Sequence, residues 1–253
     1  EDLEIVKGAP QQRRRFLDEA ISQLYPLYLA SLISYHKKLA QKNSLLKKLR
    51  TSGNANDPML DVWNEQIAED GSRIMQYRRK FVEQLGGFAK ETHLQISGEK
   101  FDLLYTPSIE CDIINKEAFL KKLEQSKERE VENGLSLYGI QRDELRFFIN
   151  DKEVKTYASQ GQQRTTVLSL KMAQMEVVNY IREEYPVLLL DDIMSELDIN
   201  RRTYLSGKIK GKQVILTCTD IDSAADSADA GVFRVENGRI FAGGVRNVSS
   251  SGK

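Results

Sequence analysis

Histidine and cysteine, the residues that build most structural zinc sites, are scarce in this sequence. The 253 residues include two cysteines, Cys111 and Cys218, and two histidines, His36 and His93. Structural zinc sites take their ligands from closely spaced pairs, and no such pair occurs here. The wide separation of the two cysteines gives no sign of a disulfide framework. We therefore expect two reduced thiols, and neither a zinc site nor a disulfide.

Long apolar runs are absent as well. No stretch of the sequence approaches the roughly 20 apolar residues that a membrane-spanning helix needs. The first residues also lack the charged and apolar regions of a secretory signal. These absences predict a cytoplasmic location.

Net charge is the third feature that the sequence lacks. Lys and Arg together number 37, and Asp and Glu together also number 37. No overall basic field therefore attracts nucleic acid, and any surface that binds DNA must be a local patch. Basic clusters in the first hundred residues are the candidates, with a solvated helix face as the alternative. They are Arg13, Arg14, Arg15, Lys37, Lys38, Lys47, Lys48, Arg50, Arg78, Arg79 and Lys80.

Two long amphipathic segments dominate the first hundred residues. Apolar side chains recur every three or four residues from Tyr28 to Leu49, and again from Trp63 to Phe88. This spacing predicts two helices with one apolar face each. The polar stretch between them ends at Asp57 and Pro58, a pair that suits a helix start. We expect an antiparallel helical hairpin that projects as an arm, in a domain of residues 1–97.

The remainder of the chain alternates short strands with helices. An apolar helix is predicted from Thr166 to Arg182, and the continuous apolar strand Val187–Leu190 follows. Strands of this kind are typical of parallel sheets that are buried on both faces. Residues 98–243 therefore predict an α/β lobe, and the polar residues 244–253 predict a flexible tail.

Two consecutive carboxylates follow this apolar strand. Asp191 and Asp192 come directly after Leu190, and α/β proteins bind ligands in the crevice beyond such strand ends. Like charges repel there unless a cation or hydrogen-bond donors offset them. Carboxylate oxygens suit Mg²⁺. The residues predict either a Mg²⁺ site or a carboxylate that caps the next helix.

A polar turn with a glycine precedes the apolar helix. It consists of Ser159, Gln160, Gly161 and Gln162. Ser159 suits a helix cap, and the positive end of the helix dipole also favours a phosphate at this point. The residue types alone leave both interpretations open.

Together these motifs resemble the second half of an ABC-type ATPase head, and they are most similar to the RecF family of bacterial recombination mediators. The resemblance rests on the sequences of Ser159–Thr165 and Leu188–Asp198. It implies an α/β fold: a partial ABC-type, SMC-like head lobe with an antiparallel helical arm. Further matches are Gly8-Ala9-Pro10, Arg13-Arg14, Phe16-Leu17-Asp18, Gln41-Lys42-Asn43, Trp63 through His93, and Arg142-Asp143.

The resemblance implies an ATP site that two subunits of an ATP-dependent homodimer share. Ser159–Gln162 stand in place of the signature motif, which faces the γ-phosphate bound to the opposite subunit. Asp191 would hold Mg²⁺, and Asp192 would be the catalytic carboxylate that acts on the attacking water. Aspartate in place of glutamate at Asp192, and Thr219 in place of a switch histidine, imply slow hydrolysis. The implied D-loop is Ser195, Glu196, Leu197 and Asp198.

The phosphate-binding loop Gly-x-x-x-x-Gly-Lys-[Ser/Thr] does not occur in the sequence. In the family this loop lies upstream of the position where Glu1 begins, so the chain matches a carboxy-terminal portion. We expect no ATP hydrolysis by this chain alone and a weak ATPase in the full-length dimer.

The function that the resemblance implies is DNA repair. A protein of this family would bind ATP and DNA at gaps or single-strand/double-strand junctions, and would promote RecA loading together with RecR and RecO. The alternative is a structural or partner-binding module that keeps the fold and does not use nucleotide.

Overall fold

The computed structural model divides the chain into two compact units, Glu1–Glu183 and Glu184–Lys253. The first unit contains the long helices and an antiparallel sheet, and the second contains two separate strand pairs. This division does not coincide with the predicted boundary at residue 97, because the helix that ends at Ser97 packs against elements later in the sequence. The structure describes residues 2–52, 57–192, 194, 197–219 and 231–245.

Helices make up most of the first unit. Within the described ranges, no helix combines the length and the apolar character that crossing a membrane requires. The helices are α1 (Glu4–Lys7), α2 (Pro10–Leu24), α3 (Pro26–Ser52), α4 (Pro58–Ser97), α5 (Lys116–Gln125), α6 (Lys127–Asn133), α7 (Val154–Tyr157), α8 (Gln160–Arg182) and, in the second unit, α9 (Ile199–Ile209). The strands are β1 (Phe101–Thr106), β2 (Glu144–Ile149), β3 (Lys152–Glu153), β4 (Leu188–Asp191), β5 (Val214–Thr217), β6 (Gly231–Glu236) and β7 (Arg239–Val245).

Helices α3 and α4 form the antiparallel hairpin that the apolar spacing predicts. Arg73 Nη1 donates to Ser31 Oγ at 3.2 Å, and Lys38 Nζ lies 2.7 Å from Asp70 Oδ2. Later positions on α3 therefore meet earlier positions on α4, as an antiparallel pair requires.

Local sequence determines where α4 begins and ends. The Asp57 carboxylate accepts a hydrogen bond from the Met59 N–H at 2.8 Å, and Pro58 occupies the first helical position. At the other end Gly98 has a φ of 71°, a left-handed conformation that favours glycine. The predicted helix start is confirmed, and the 40 residues of α4 span about 60 Å.

The hairpin is not a bare two-helix arm, because α5 and α6 pack along its side. Lys116 of α5 pairs with Glu65 of α4 at 2.9 Å. Helix α4 approaches α5 closely at Gly71, where an added Cβ would lie 2.4 Å from the Phe119 ring. A second apolar cluster joins α6 to the far part of the hairpin; its buried members are Leu46, Leu49, Leu60 and Val131.

An antiparallel sheet in the order β1-β2-β3 completes the first unit. Phe101 of β1 pairs with Ile149 at the end of β2. The turn between β2 and β3 has positive φ values at Asn150 (49°) and Asp151 (64°), as a tight two-residue hairpin turn requires.

The second unit contains a parallel pair, β4 and β5, with α9 between them in sequence, and the antiparallel pair β6 and β7. The prediction that the apolar strand is buried on both faces is wrong for the described residues. Leu189 is 74% exposed and its neighbour Ile215 is 57% exposed, whereas Leu190 is 8% exposed. The described residues of this unit cover only the face that carries Leu190. Residues 246–253 of the predicted tail lie outside the described ranges.

Candidate nucleotide-binding site

The turn before α8 is a complete capping box. Ser159 Oγ accepts a hydrogen bond from the Gln162 N–H at 3.2 Å, and Gln162 Oε1 accepts one from the Ser159 N–H at 2.9 Å. These reciprocal bonds satisfy backbone donors that a helix start leaves without partners. The helix therefore begins at Gln160 and not at Thr166, and the capping interpretation of Ser159 is confirmed.

The four residues of this turn differ in their contacts and in their exposure to solvent. The Gln162 side chain also donates from Nε2 to Glu99 Oε1 at 2.8 Å, so both ends of its amide hold the turn in place. Ser159 and Gln160 are exposed, and Gly161 is half-buried. A phosphate at the positive end of α8 would therefore meet Ser159 and Gln160 first.

Helix α8 holds this turn rigidly, because its next two turns are buried against α4. His93 of α4 is fully buried, stacks on Phe101 with ring centroids 4.9 Å apart, and places Nδ1 3.2 Å from Ser169 Oγ. Ser169 Oγ donates to the Thr165 carbonyl at 2.8 Å. The role of His93 could not be predicted from the sequence, since a lone histidine near the end of an amphipathic helix carries no spacing signal.

A cavity of about 260 Å³ opens beside the turn. Tyr157, which is 71% exposed, stands at its edge immediately before Ala158 and Ser159. The cavity gives the turn an open approach from solvent. Its lining residues are Ile149, Asn150, Lys152, Tyr157, Ala158 and Gln162.

The two predicted carboxylates lie at the carboxyl end of the parallel pair, where β4 pairs Asp191 with Thr217 of β5. The Thr217 hydroxyl donates to Asp191 Oδ1. The Asp192 N–H donates to Thr217 Oγ1 at 3.0 Å and to the Thr217 carbonyl at 3.2 Å. Asp192 has a φ of 48°, so the chain turns sharply as it leaves the strand.

This donor set fits Mg²⁺ that is shared with a phosphate. Asp191 and Asp192 are both exposed, and the neighbouring polar group is a hydroxyl. Mg²⁺ is usually held by one or two carboxylates together with substrate phosphates and waters. In the part of the chain that the structure describes, no three His, Cys, Asp or Glu side chains form a metal cluster. A cation here would complete its coordination with phosphate oxygens and water.

The residues of the predicted D-loop are only partly described, since Ser195 and Glu196 lie outside the described ranges. Leu197 is buried, and its carbonyl accepts a hydrogen bond from Arg202 Nε at 2.8 Å. Asp198 caps α9 by accepting from the Arg201 N–H at 3.0 Å. Asp198 is therefore the cap of α9, and among the described residues the Asp191 carboxylate bonds Thr217.

The predicted site residues fall into two groups, one in each unit. Ser159–Gln162 belong to the first unit, and Asp191, Asp192, Leu197 and Asp198 belong to the second. Thr219, which the resemblance predicts to stand in place of a switch histidine, is exposed.

Arg13 and Arg14, the predicted DNA contacts, are engaged inside the first unit. Arg13 is 4% exposed. Its guanidinium donates two hydrogen bonds to the Glu144 carboxylate, from Nε to Oε1 at 2.7 Å and from Nη2 to Oε2 at 2.9 Å. Arg14 Nη1 donates to the Asp143 carbonyl at 2.9 Å. Burial opposes ionisation of Glu144, but hydrogen bonds from Arg13 and from the Leu145 N–H hold its pKa below the usual value. These contacts tie α2 to the start of β2.

Arg78, which the sequence groups with Arg79 and Lys80 as a basic patch, is buried. Its side chain is 1% exposed and lies 2.7 Å from Asp18 Oδ1 and 2.8 Å from Asp143 Oδ2. Arg79 and Lys80 are exposed. Arg78 therefore forms buried ion pairs with Asp18 and Asp143 and is not part of a solvated basic face.

Curated proteins of one family are similar to this chain over almost its whole length. The DNA replication and repair protein RecF of Halalkalibacterium halodurans is 44% identical over 250 residues, which are 95% of this chain and 67% of the relative. RecF of Bacillus cereus is 42% identical over the same shares, and RecF of Clostridium perfringens is 41% identical over 95% of this chain and 66% of the relative. The chain thus spans about two thirds of the length of these relatives. No protein-family model matches the sequence.

Solved structures give the same result for the fold. The recombination mediator protein RecF-ATP of the RecFOR pathway superposes with a TM-score of 0.84 at 32% identity, over 95% of this chain and 65% of the other. The RecF-ATPrS structure superposes with a TM-score of 0.85 over 96% and 66%. The predicted fold class, a partial ABC-type head lobe with an antiparallel helical arm, is confirmed. By sequence identity, coverage and fold, the chain belongs to the RecF family.

Proposed function

We propose that this chain supplies one half of a composite ATP site in a homodimeric recombination mediator. Ser159, Gln160, Gly161 and Gln162 form the half that faces the γ-phosphate of the nucleotide on the opposite subunit. Asp191 and Asp192 act on the nucleotide of their own subunit. The observation that carries the proposal is the exposed Asp191 at the carboxyl end of a parallel strand pair, with its carboxylate oriented by a hydroxyl. Solved relatives described as RecF-ATP support it.

Asp191 is the residue that would hold Mg²⁺, and Asp192 would orient or polarise the attacking water. A bound Mg²⁺ neutralises charge on the phosphates. The aspartate side chain of Asp192 is one methylene shorter than the glutamate found in most ABC heads, and Thr219 has no imidazole to take up a proton. Both features favour slow hydrolysis. The chain alone has no phosphate-binding loop, so turnover belongs to the full-length dimer.

The same proposal extends to DNA and to protein partners. Membership of the RecF family supports binding of gapped or junction DNA and promotion of RecA loading together with RecR and RecO. Arg13 bonds the Glu144 carboxylate and Arg14 donates to the Asp143 carbonyl, so we expect further basic groups to contribute to the DNA contact. Binding should weaken steeply with salt, because each phosphate contact releases counterions.

A second candidate is a structural or partner-binding module that does not use nucleotide. The capping box favours it, since Ser159 and Gln162 satisfy each other within the helix start and need no ligand. The two candidates differ in the role of Asp191. In the composite ATP site Asp191 binds a cation, and in the structural module it only accepts the hydrogen bond from Thr217.

Asp191→Asn in the full-length protein separates the two candidates. The change keeps an acceptor for Thr217 and removes the charge that Mg²⁺ requires, so ATP-dependent dimerisation measured by sedimentation should be lost. Asp151→Asn is the matched control, because Asp151 is an exposed turn residue with a φ of 64°, where asparagine is equally tolerated. Dimerisation of Asp191→Asn at wild-type ATP and Mg²⁺ concentrations would favour the structural module.

A further inference from the structure

We infer that Thr217 is a positioning residue of the Mg²⁺ site, which acts by orienting the Asp191 carboxylate and by holding the backbone turn at Asp192. The inference rests on the proposed function, because it assumes that Asp191 binds the cation. Thr217 belongs to none of the sequence motifs described above. It becomes visible only when the register of β4 and β5 places it beside Asp191.

The hydrogen bonds of the Thr217 hydroxyl connect both aspartates. A hydroxyl has one proton to donate and two lone pairs that accept. The proton goes to Asp191 Oδ1, and a lone pair accepts the Asp192 N–H at 3.0 Å. The Thr217 carbonyl accepts the same N–H at 3.2 Å. One residue of β5 therefore fixes a side chain and a main-chain group of the neighbouring strand end.

The first consequence concerns the Asp191 carboxylate. This side chain is exposed at the end of a strand, where an unrestrained carboxylate samples several orientations. A hydrogen bond to Oδ1 selects one of them and leaves the second oxygen for a cation. Residues that orient a metal-binding carboxylate in this way raise metal affinity by reducing the entropy lost on binding.

The second consequence concerns the Asp192 backbone. A φ of 48° is a left-handed conformation, which residues other than glycine adopt mainly where local hydrogen bonds stabilise it. The two bonds from Thr217 to the Asp192 N–H stabilise this turn, which determines where the second carboxylate begins. Threonine suits the position because its branched Cβ restricts χ1 in a strand and holds the hydroxyl in one place.

The test is the Mg²⁺ concentration that gives half-maximal ATP-dependent dimerisation of the full-length protein, measured by light scattering at fixed ATP. Thr217→Val keeps the shape and removes the hydroxyl, and it should raise this concentration about tenfold. Thr217→Ser restores the hydroxyl and should return it close to the wild-type value. Thr203→Val is the matched control, since the Thr203 hydroxyl donates to the Ile199 carbonyl of its own helix.

Asp191→Asn, measured alongside, distinguishes the two ways of failing. If Asp191→Asn leaves the Mg²⁺ concentration for half-maximal dimerisation unchanged, the proposed metal site is wrong, and the proposed role of Thr217 is wrong as well. If Asp191→Asn raises the requirement but Thr217→Val does not, only the role of Thr217 is wrong. If Thr217→Ser needs as much Mg²⁺ for half-maximal dimerisation as Thr217→Val does, the role of the Thr217 hydroxyl is also wrong. If Thr217→Val fails to fold by circular dichroism, the comparison of Thr217→Ala with Thr217→Ser makes the same decision.

Discussion

Arg78 and Asp143 form an ion pair of 2.8 Å inside the first unit, where each side chain is 1% exposed. Asp143 also accepts hydrogen bonds from the Tyr105 hydroxyl and, at 2.9 Å, from the Ser108 N–H. Burial raises the pKa of Asp143, and the Arg78 guanidinium opposes that shift. The pair joins α4 of the hairpin to the segment that leads into β2. Asp143, one of the residues that match the family, therefore has a structural role.

Replacing Arg78 by methionine should destabilise the first unit severely. The change leaves the Asp143 carboxylate buried without its cation, and loss of one partner of a buried pair costs roughly 3 to 5 kcal/mol. Arg79→Met is the matched control: Arg79 is exposed and donates only long bonds, of 3.4 Å, to the Cys111 and Asp112 carbonyls. Urea denaturation measures both variants. Equal midpoints for the two would show that the interior network contributes no stability.

The buried pair of Lys42 and Glu130 joins the hairpin to α6. Lys42 Nζ lies 2.6 Å from Glu130 Oε2, and both side chains are fully buried. Glu130 Oε1 accepts from Ser136 Oγ at 3.0 Å and from the Leu137 N–H at 2.8 Å. Burial lowers the pKa of Lys42, while Glu130 opposes that shift.

Lys42→Met should cost roughly 3 to 5 kcal/mol, because Glu130 then stays buried as an uncompensated charge. Adding Glu130→Gln should recover much of the loss, since glutamine keeps an acceptor for Ser136 and Leu137. The free energies of unfolding of the two single variants and the double variant form a cycle. Additive losses in that cycle would mean that the two charges do not stabilise each other.

Two glycines of α4 predict opposite effects of alanine. A Cβ at Gly71 would lie 2.4 Å from the Phe119 ring, which is 1% exposed, whereas a Cβ at Gly87 has no neighbour within 4 Å. Gly71→Ala should destabilise by roughly 1 to 3 kcal/mol through overpacking. Gly87→Ala should stabilise by up to about 1 kcal/mol, because alanine favours the helix. Thermal unfolding checks the signs; stabilisation by both would mean that α5 packs less tightly against α4.

The low pKa of Glu144 in the folded state predicts that the first unit loses part of its stability at acid pH. Its pKa lies below the usual value in the folded state, so its contribution is present above about pH 4.5 and is lost as pH falls through the folded pKa. Glu144→Gln should therefore lower stability at neutral pH, by about 1 to 2 kcal/mol, and flatten the decline below pH 4.5. Glu19→Gln, which removes an exposed partner of Arg15, is the control. Parallel pH profiles for wild type and Glu144→Gln would contradict this role.

Local sequence patterns were sufficient to predict the elements that neighbouring residues determine. The Asp57-Pro58 start of α4 and the helical hairpin each follow from neighbouring residues, and each is confirmed. The capping box at Ser159 is of the same kind, since both of its bonds join residues three apart.

Features that depend on distant partners could not be predicted in the same way. Arg78 has the same sequence context as the exposed Arg79, and its partners Asp18 and Asp143 are 60 and 65 positions away. Thr217 acquires its role from a strand register that spacing does not encode. The exposed face of Leu189 has a similar origin, because an apolar run does not indicate which of its faces the surrounding residues cover.

We propose that Ser159 of one subunit and Asp191 of the other act on the same nucleotide. Mixing full-length Ser159→Arg protein with full-length Asp191→Asn protein tests it directly. A mixed dimer contains one site with both residues intact, so ATP-dependent dimerisation that neither variant shows alone should appear in the mixture. If the mixture remains as monomeric as each variant by itself, the two residues do not meet across subunits, and the shared ATP site is wrong.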